Sequence, residues 1–280
     1  MNKGVTAGDL LRASTLEAID ARILLAHALG WQRTELMTRA HEALDSAKVD
    51  TFRRLEQRRY HGEPIAYLVG KREFFGLDFH IKPDVLIPRP ETEVLVECAL
   101  NAIASMDAPR ILDLGTGSGA IAIAIAYQRP DALVIATDDS HRALALAALN
   151  AQRLLHGCRS SERLRFIAGD WYQPLANLDI QFNVIISNPP YLAVDDPHLH
   201  KGDVRFEPRN ALTDGVHGLT ALKKVISGAR KYLKREGALW LEHGYDQAHS
   251  VRAELAAQGF RQVHSVYDLA GIERVSGGVR

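Results

Sequence analysis

Apolar positions along the chain follow three periods in turn, and each predicts a different kind of element. Over roughly the first 72 residues they recur at helical spacing. Leu16, Ile19, Ile23 and Leu24 follow Ser14 and Glu17, which have capping-box spacing, and Gly30 supplies a stop. A second helix is expected over residues 33–43. A third is expected over residues 46–60, with Val49, Phe52 and Leu55 inward and Arg53, Arg54, Arg58 and Arg59 mostly outward. The arginine cluster reads as a solvated helix face. The period then changes to two: Leu77, Phe79 and Ile81 alternate with Asp78, His80 and Lys82, the mark of a half-exposed strand. Pro83-Asp84 turns the chain into Val85-Leu86-Ile87, so a β-hairpin is expected there.

After Pro88-Arg89-Pro90-Glu91-Thr92-Glu93, which suits a helix start and predicts a helix to about Ala104, the third pattern sets in. Apolar runs at residues 111–114, 133–137, 164–168, 182–187 and 238–241 are nearly continuous, as in strands buried on both faces. Helical stretches separate them, at residues 120–127, 142–155 and 219–233 among others. Alternation of this kind predicts an α/β fold with a Rossmann-like, mostly parallel sheet. Gln262–Tyr267 and Glu273–Val279 suit a terminal antiparallel pair. The expected organisation is a small helical domain over residues 1–72, a β-hairpin linker over residues 73–88, and the sheet domain over residues 89–280.

Composition narrows the function classes. With 280 residues and 46% apolar content, the chain can build a sizeable core, and 34 basic against 34 acidic residues leave no net field to hold nucleic acid. Cys98 and Cys158 are far apart and form neither a metal motif nor a disulfide framework, which favours a reducing cytoplasm. The amino terminus lacks an apolar signal core, and no apolar run approaches the roughly 20 residues of a membrane span.

Candidate chemistry gathers at the ends of the predicted strands. Behind Phe182–Ile186 comes Ser187-Asn188-Pro189-Pro190-Tyr191. Each proline removes an N–H and holds its predecessor extended, which makes a corner rich in acceptors. The Asn188 amide oxygen and the neighbouring Pro189 carbonyl can take both hydrogens of one planar NH2 group, and Tyr191 can lie against its plane. The groups that fit are the exocyclic amines of adenine and cytosine and the side-chain amides of glutamine and asparagine. The plainer alternative is a tight turn after a strand.

A second set of residues suits a nucleoside-bearing cation. Asp113-Leu114-Gly115-Thr116-Gly117-Ser118-Gly119 turns from strand to helix, with G-x-G-x-G spacing rather than the dinucleotide G-x-G-x-x-G. Asp113, an acid where a pyrophosphate would otherwise lie, suits the ammonium and sulfonium of S-adenosylmethionine, whose carboxylate can use N–H groups of the loop. Asp138 closes the next strand 19 residues after Gly119, the spacing of a ribose acceptor, while Asp139 is read as facing solvent. Asp170 can accept from the adenine amine, with Trp171 packed on the ring or, alternatively, serving as a core residue of the loop. No metal site is read from the sequence.

Asp113 to Gly119, Asp138 and Asn188 to Tyr191 together resemble the S-adenosylmethionine-dependent methyltransferases that act on planar amino groups. Gly62–Gly70, Glu73–Leu77 and Ile87–Glu93, with Glu207–Leu212 and Gly271–Arg274, look like the signature of the peptide chain release factor glutamine methyltransferases, the PrmC or HemK family. The likeness spans nearly the whole chain and is weakest over the first 60 residues. It implies methylation of the glutamine in the Gly-Gly-Gln loop of release factors, with Gly115, Thr116, Gly117, Ser118, Gly119, Asp138 and Trp171 on the cofactor and Asn188, Pro189, Pro190 and Tyr191 on the glutamine amide. It further implies a cytoplasmic protein of translation termination with release factors as partners, no direct nucleic acid and no membrane. One departure is visible: His217 stands where the family usually has an aspartate before the glycine of its loop.

None of the twelve histidines is nominated as a base, because a methylated amide sheds its proton readily, and His198 and His200 read as solvated loop. Two rivals remain at this point. An adenine-N6 or cytosine-N4 methyltransferase would use the same corner on a flipped base, against which stand the zero net charge and the lack of a DNA-reading domain. A cofactor-binding scaffold without activity would have no need of Asn-Pro-Pro-Tyr.

Overall fold

The computed structural model describes residues 4–280, which fall into two compact units. One unit is helical and runs up to Lys71, joined by Lys201–Phe206; the other comprises Arg72–His200 and Glu207–Arg280.

The helical unit holds α1 (Ala7–Ala13), α2 (Ala18–Leu29), α3 (Arg33–Thr38), α4 (Ser46–Tyr60) and α5 (Ile65–Val69). Leu24, Leu25, Phe52 and Leu55 meet in its core, as helical spacing requires. Capping differs from expectation. Ser14 ends α1 rather than starting α2, and α2 begins behind Glu17 with no side-chain cap; the capping boxes are Thr6/Asp9 and Gln32/Glu35. Gly30 does stop α2, at φ +71°. The second helix is shorter than its predicted 33–43: it ends at Thr38, and Arg39, its C-cap, pairs with Glu35 and Glu42. Arg59 is not an outward charge: it bonds Asp20 at 2.7 Å and Asp203 at 2.8 Å. Arg205 donates to the His61 carbonyl at 2.8 Å, so the segment 201–206 is fastened to this unit.

The other unit opens with a hairpin, β1 (Lys71–Phe74) and β2 (Leu77–His80), whose turn is Phe75-Gly76. Both turn residues have positive φ, 51° and 76°, as a tight two-residue hairpin demands. The expected second strand at Val85–Ile87 does not form. Val85 and Ile87 are buried, and Ile87 gives its N–H to the Glu207 carboxylate at 2.9 Å, which leaves no ladder partner for a strand.

The remaining elements are α6 (Glu93–Ala102), β3 (Arg110–Leu114), α7 (Ala120–Gln128), β4 (Leu133–Asp138), α8 (His141–Leu154), β5 (Leu164–Ala168), β6 (Phe182–Ser187), α9 (Arg209–Leu212), α10 (Thr220–Tyr232), β7 (Leu233–Glu242), α11 (Ala248–Ala257), β8 (Arg261–Tyr267) and β9 (Glu273–Val279). The strands form one sheet of order β5-β4-β3-β6-β7-β9-β8, parallel except for β9. The continuous apolar runs of β3, β4, β6 and β7 lie inside it with α6, α7 and α10 packed on them, whereas β5, at the edge, buries only Leu164. α7, Ala-Ile-Ala-Ile-Ala-Ile-Ala, is buried on every side, and its alanines let it sit close to the sheet. The order reverses direction at β3 and β6, so the loops leaving these strands splay apart and open a crevice at their carboxyl ends. Leu114 pairs with Ser187 at that edge, and the Ser187 hydroxyl donates to the Leu114 carbonyl at 2.7 Å.

Candidate active site

A cavity of about 380 Å³ opens at this crevice, a size that suits a nucleoside-sized ligand. Its first wall is the turn after β3, where Gly115, Thr116, Gly117 and Ser118 line it together with Ala120 and Ile121 from the start of α7. The turn is internally committed. Gly115 and Thr116 give their N–H groups to the Thr137 carbonyl, and Gly117 gives its own to Asp138 Oδ2 at 2.8 Å. The loop N–H groups expected to meet a carboxylate are therefore used within the protein, and an anion at this wall would meet the opening amides of α7 instead. Gly119 is not on the wall. It caps α7 at φ +82°, where an added Cβ would come within 2.8 Å of Ile123 and 3.0 Å of Ala147.

Asp113 also stays off the wall. It lies fully buried beneath the turn, accepting from the Thr116 hydroxyl at 2.7 Å, while its Oδ1 has no hydrogen bond of full geometry and the Ala122 amide is the nearby donor. Burial pushes its carboxyl up to about 7, against the help of Thr116.

Asp138 does line the cavity, with both oxygens already engaged: Oδ2 by Gly117 N–H and Oδ1 by Ser140 N–H at 2.9 Å. Burial raises its pKa, and the two backbone donors oppose the rise. Each oxygen keeps a lone pair for a further donor. Asp139, expected to face solvent only, lines the cavity beside it. Asp170 and Trp171 form the next wall. Trp171 sits at φ +48°, a left-handed conformation uncommon for an aromatic residue, and its ring passes 3.6 Å from where a Cβ on Gly115 would stand. Asp170 is paired with Lys224 of α10 at 2.5 Å, a partner that no spacing along the chain marks. Lys224, Thr220 and Ala221 share one helix face on the cavity.

The corner after β6 contributes Asn188 and Pro190 to the lining. Pro189 is buried, and Tyr191 points into the core, its hydroxyl donating to Glu242 Oε1 of β7 at 3.2 Å. Burial, followed by the Glu242 charge, drives the Tyr191 hydroxyl well above the usual phenol range. Asn188 Nδ2 donates to the Thr92 hydroxyl at 3.3 Å, and Thr92 is itself a lining residue.

Two segments carrying the signature motifs complete the cavity. Asp84, Val85, Leu86 and Pro88 line it from one side, Asn210, Ala211, Thr213 and Asp214 from another. Glu207 holds them in place, since its buried carboxylate takes both Ile87 N–H and the Arg89 guanidinium. The loop containing His217 has an internal organiser in Asp214, which accepts N–H groups from Val216, Gly218 and Thr220 at 2.9, 2.9 and 2.6 Å. Burial alone would raise the Asp214 carboxyl, but these three donors hold it below its ordinary value. Gly218 cannot be replaced without a clash, because a Cβ there would overlap the Tyr191 carbonyl.

Comparison with known proteins matches residues 6–70 to the model for the PrmC N-terminal domain and residues 90–201 to the model for the methyltransferase small domain. The chain is 59% identical over 273 residues to the release factor glutamine methyltransferase of Burkholderia pseudomallei (strain K96243), covering 98% of this chain and 95% of that protein. The chain belongs to the release factor glutamine methyltransferase family. A second member, from Bordetella pertussis (strain Tohama I), is 51% identical over 270 residues, covering 96% of this chain and 97% of the relative. In fold this chain is similar to a methyltransferase from Pyrococcus furiosus, with a TM-score of 0.51 at 17% identity over 80% of this chain and 96% of that one. Among the described residues no helix is long and apolar enough to cross a membrane, and no cluster of three or more His, Cys, Asp or Glu could hold a metal ion.

Proposed function

We propose that the protein transfers a methyl group from S-adenosylmethionine to the side-chain amide nitrogen, N5, of the glutamine in the Gly-Gly-Gln motif of peptide chain release factors. The observation that carries the reading is the placement of Asn188: its amide stands on the wall of the same cavity as Asp138, Trp171 and the Gly115–Ser118 turn. A cofactor end and an acceptor end thus face one space. The partner is a release factor, and the compartment is the cytoplasm, where release factors work.

The residues present fit S-adenosylmethionine. The Trp171 ring on the cavity wall offers a face for a flat base, and Asp138 and Asp139 offer acceptors for ribose hydroxyls. The carboxylates at Asp138, Asp139, Asp170 and Asp214 suit a cationic ligand better than a phosphate-bearing one. When bound, the cofactor supplies an electrophilic methyl group on a sulfonium.

The remaining work belongs to the corner. A glutamine amide is a poor nucleophile because its nitrogen lone pair is delocalised into the carbonyl. Asn188 Oδ1 and the Pro189 carbonyl accept its two hydrogens, which raises electron density at nitrogen and aims the lone pair into the cavity. Orientation of this kind can supply up to on the order of 7–11 kcal/mol of a barrier. The N–C bond would form as the sulfonium's S–CH3 bond breaks to leave a neutral thioether, and the methylated amide would then lose its surplus proton to water.

Incubation with labelled methyl donor tests the reading in three separate tubes, holding a release factor, its Gly-Gly-Ala variant and unmethylated DNA. Label is expected in the unmodified factor alone. Label in DNA with none in the factor would overturn the substrate and leave a methyltransferase. Asn188→Ala should keep cofactor affinity within a few-fold and lose at least about a hundredfold in single-turnover rate, because the lost acceptor serves the nucleophile only.

A further inference from the structure

The two ends of the Asn188 side chain are nearly the same shape but opposite in function: Oδ1 accepts and Nδ2 donates. The proposed function, on which this inference rests, works only with the oxygen toward the substrate amide; a flipped Asn188 would set NH2 against NH2. Something must hold the orientation. Nδ2 is bonded to the Thr92 hydroxyl, yet a hydroxyl both donates and accepts, so Thr92 alone would serve either orientation of Asn188 equally well.

The deciding group lies one step further in. Glu242, at the end of β7, is buried with its carboxylate under the corner; Oε1 takes the Tyr191 hydroxyl at 3.2 Å, and Oε2 is sealed from solvent with no hydrogen bond of full geometry. The Thr92 hydroxyl is near enough to that carboxylate to act on it as a donor. An ionised carboxylate can only accept. We infer that Thr92 and Glu242 are positioning residues for methyl transfer: the Glu242 carboxylate claims the Thr92 proton, the hydroxyl lone pair is left for Asn188 Nδ2–H, and Asn188 Oδ1 is thereby turned toward the glutamine amide.

The same chain of donors makes the orientation conditional on ionisation. A protonated Glu242 can donate to Thr92, which then can donate to Asn188 Oδ1 and release the flip. Burial pushes this carboxyl up to about 7, against the hydroxyls of Thr92 and Tyr191 and the charge of Arg274 on β9, while Glu91 before α6 adds to the rise. Arg89 faces the same group of side chains through Tyr191. The arrangement should therefore favour the productive Asn188 above neutrality and lose it as pH falls.

Three variants of the full chain test the inference: Thr92→Val, which keeps shape and deletes the hydroxyl, Thr92→Ser and Glu242→Gln. With release factor and saturating cofactor, Thr92→Val should slow single turnover by about tenfold or more while the cofactor Kd stays within about threefold, and Thr92→Ser should recover most of the loss. The wild-type rate should rise with pH through about 7, and Glu242→Gln should flatten that profile. Without cofactor or substrate, the Asn188 side-chain 15N–1H signals should titrate over the same range in the wild type and not in Glu242→Gln. A Thr92→Val rate equal to the wild type, or an unchanged pH profile in Glu242→Gln, would overturn the inference. If Glu242→Gln does not fold, the Thr92 pair and the wild-type Asn188 titration decide it. A wild type that leaves the release factor unlabelled refutes the proposed function instead, and the Asn188 titration still tests the orientation on its own.

Discussion

Asp138 binds two backbone N–H groups, Gly117 and Ser140, and so shapes the glycine turn as well as offering acceptors to a ligand. Asp138→Ala should weaken S-adenosylmethionine binding by about 10- to 100-fold, the equivalent of roughly 1.5–3 kcal/mol for a hydrogen bond to a charged group. Calorimetric titration measures it, and an unchanged Kd would remove Asp138 from the site. At this scale the sequence was readable wherever a residue type is forced by backbone geometry: the glycines at positive φ and the proline-locked Asn188 announce themselves without a partner. Asp113, placed by its position before the turn, lies buried beneath the wall, where its Oδ2 takes the Thr116 hydroxyl. Tyr191 was assigned to the substrate from its neighbours, yet its hydroxyl turns to Glu242, 51 residues away in the chain. Lys224 carries no mark in the sequence because exposed charges have no period, and Asp139, read as facing solvent, lines the cavity. Asp214 left no trace either, since its role consists of accepting three N–H groups of a folded loop.

Among the elements, α7 is the one most tightly bound to its turn. Gly119→Ala places a methyl at φ +82°, within 2.8 Å of Ile123 and 3.0 Å of Ala147. Left-handed strain of about 1–2 kcal/mol adds to overpacking of about 1–3 kcal/mol, so a fall of several degrees in Tm is expected, with cofactor affinity lost alongside. A melting curve matching the wild type would show that α7 can shift. Strands and long helices were legible because burial on two faces leaves uninterrupted apolar runs, as in β6, whose bounds match the pattern. The segment 83–88 misled for a physical reason: an apolar triplet between turn residues is equally a strand or a buried extended loop, and only the carboxylate of Glu207, some 120 residues on, decides between them. The hairpin turn hid behind Phe75, a residue type seldom found at φ 51°.

For the whole molecule, the carboxyl end of the sheet carries two fully buried acids, Asp113 and Glu242, each raised to about 7 by burial. Raised carboxylate pKa values mean that the folded state holds these protons more tightly than the unfolded chain does. The associated stability is present in full below about pH 4 and is lost as pH climbs to about 7. Asp113→Asn keeps an acceptor for Thr116 and removes the charge, so it should be more stable than the wild type at pH 8, by up to a few kcal/mol, with the advantage shrinking toward pH 4.5. Thermal unfolding at the two pH values reads this directly, and a constant difference would place Asp113 in a more polar setting than its burial implies.

The helical unit is not a prefix of the chain. It takes back Lys201–Phe206 after the acceptor corner, fastening Asp203 to Arg59 and Arg205 to the His61 carbonyl before the chain resumes at Glu207. In terms of gene fusion, the unit therefore has two exchange boundaries instead of one. A chimera spliced only near residue 71 would pair a foreign helical scaffold with a native 201–206, leaving Asp203 and Arg205 without their partners, in the stretch of chain that leads directly into Glu207, the clamp on Ile87 and Arg89. Moving both segments together preserves every one of these bonds, so in thermal unfolding a recombinant that exchanges residues 1–71 along with 201–206 should melt higher than the single-splice version.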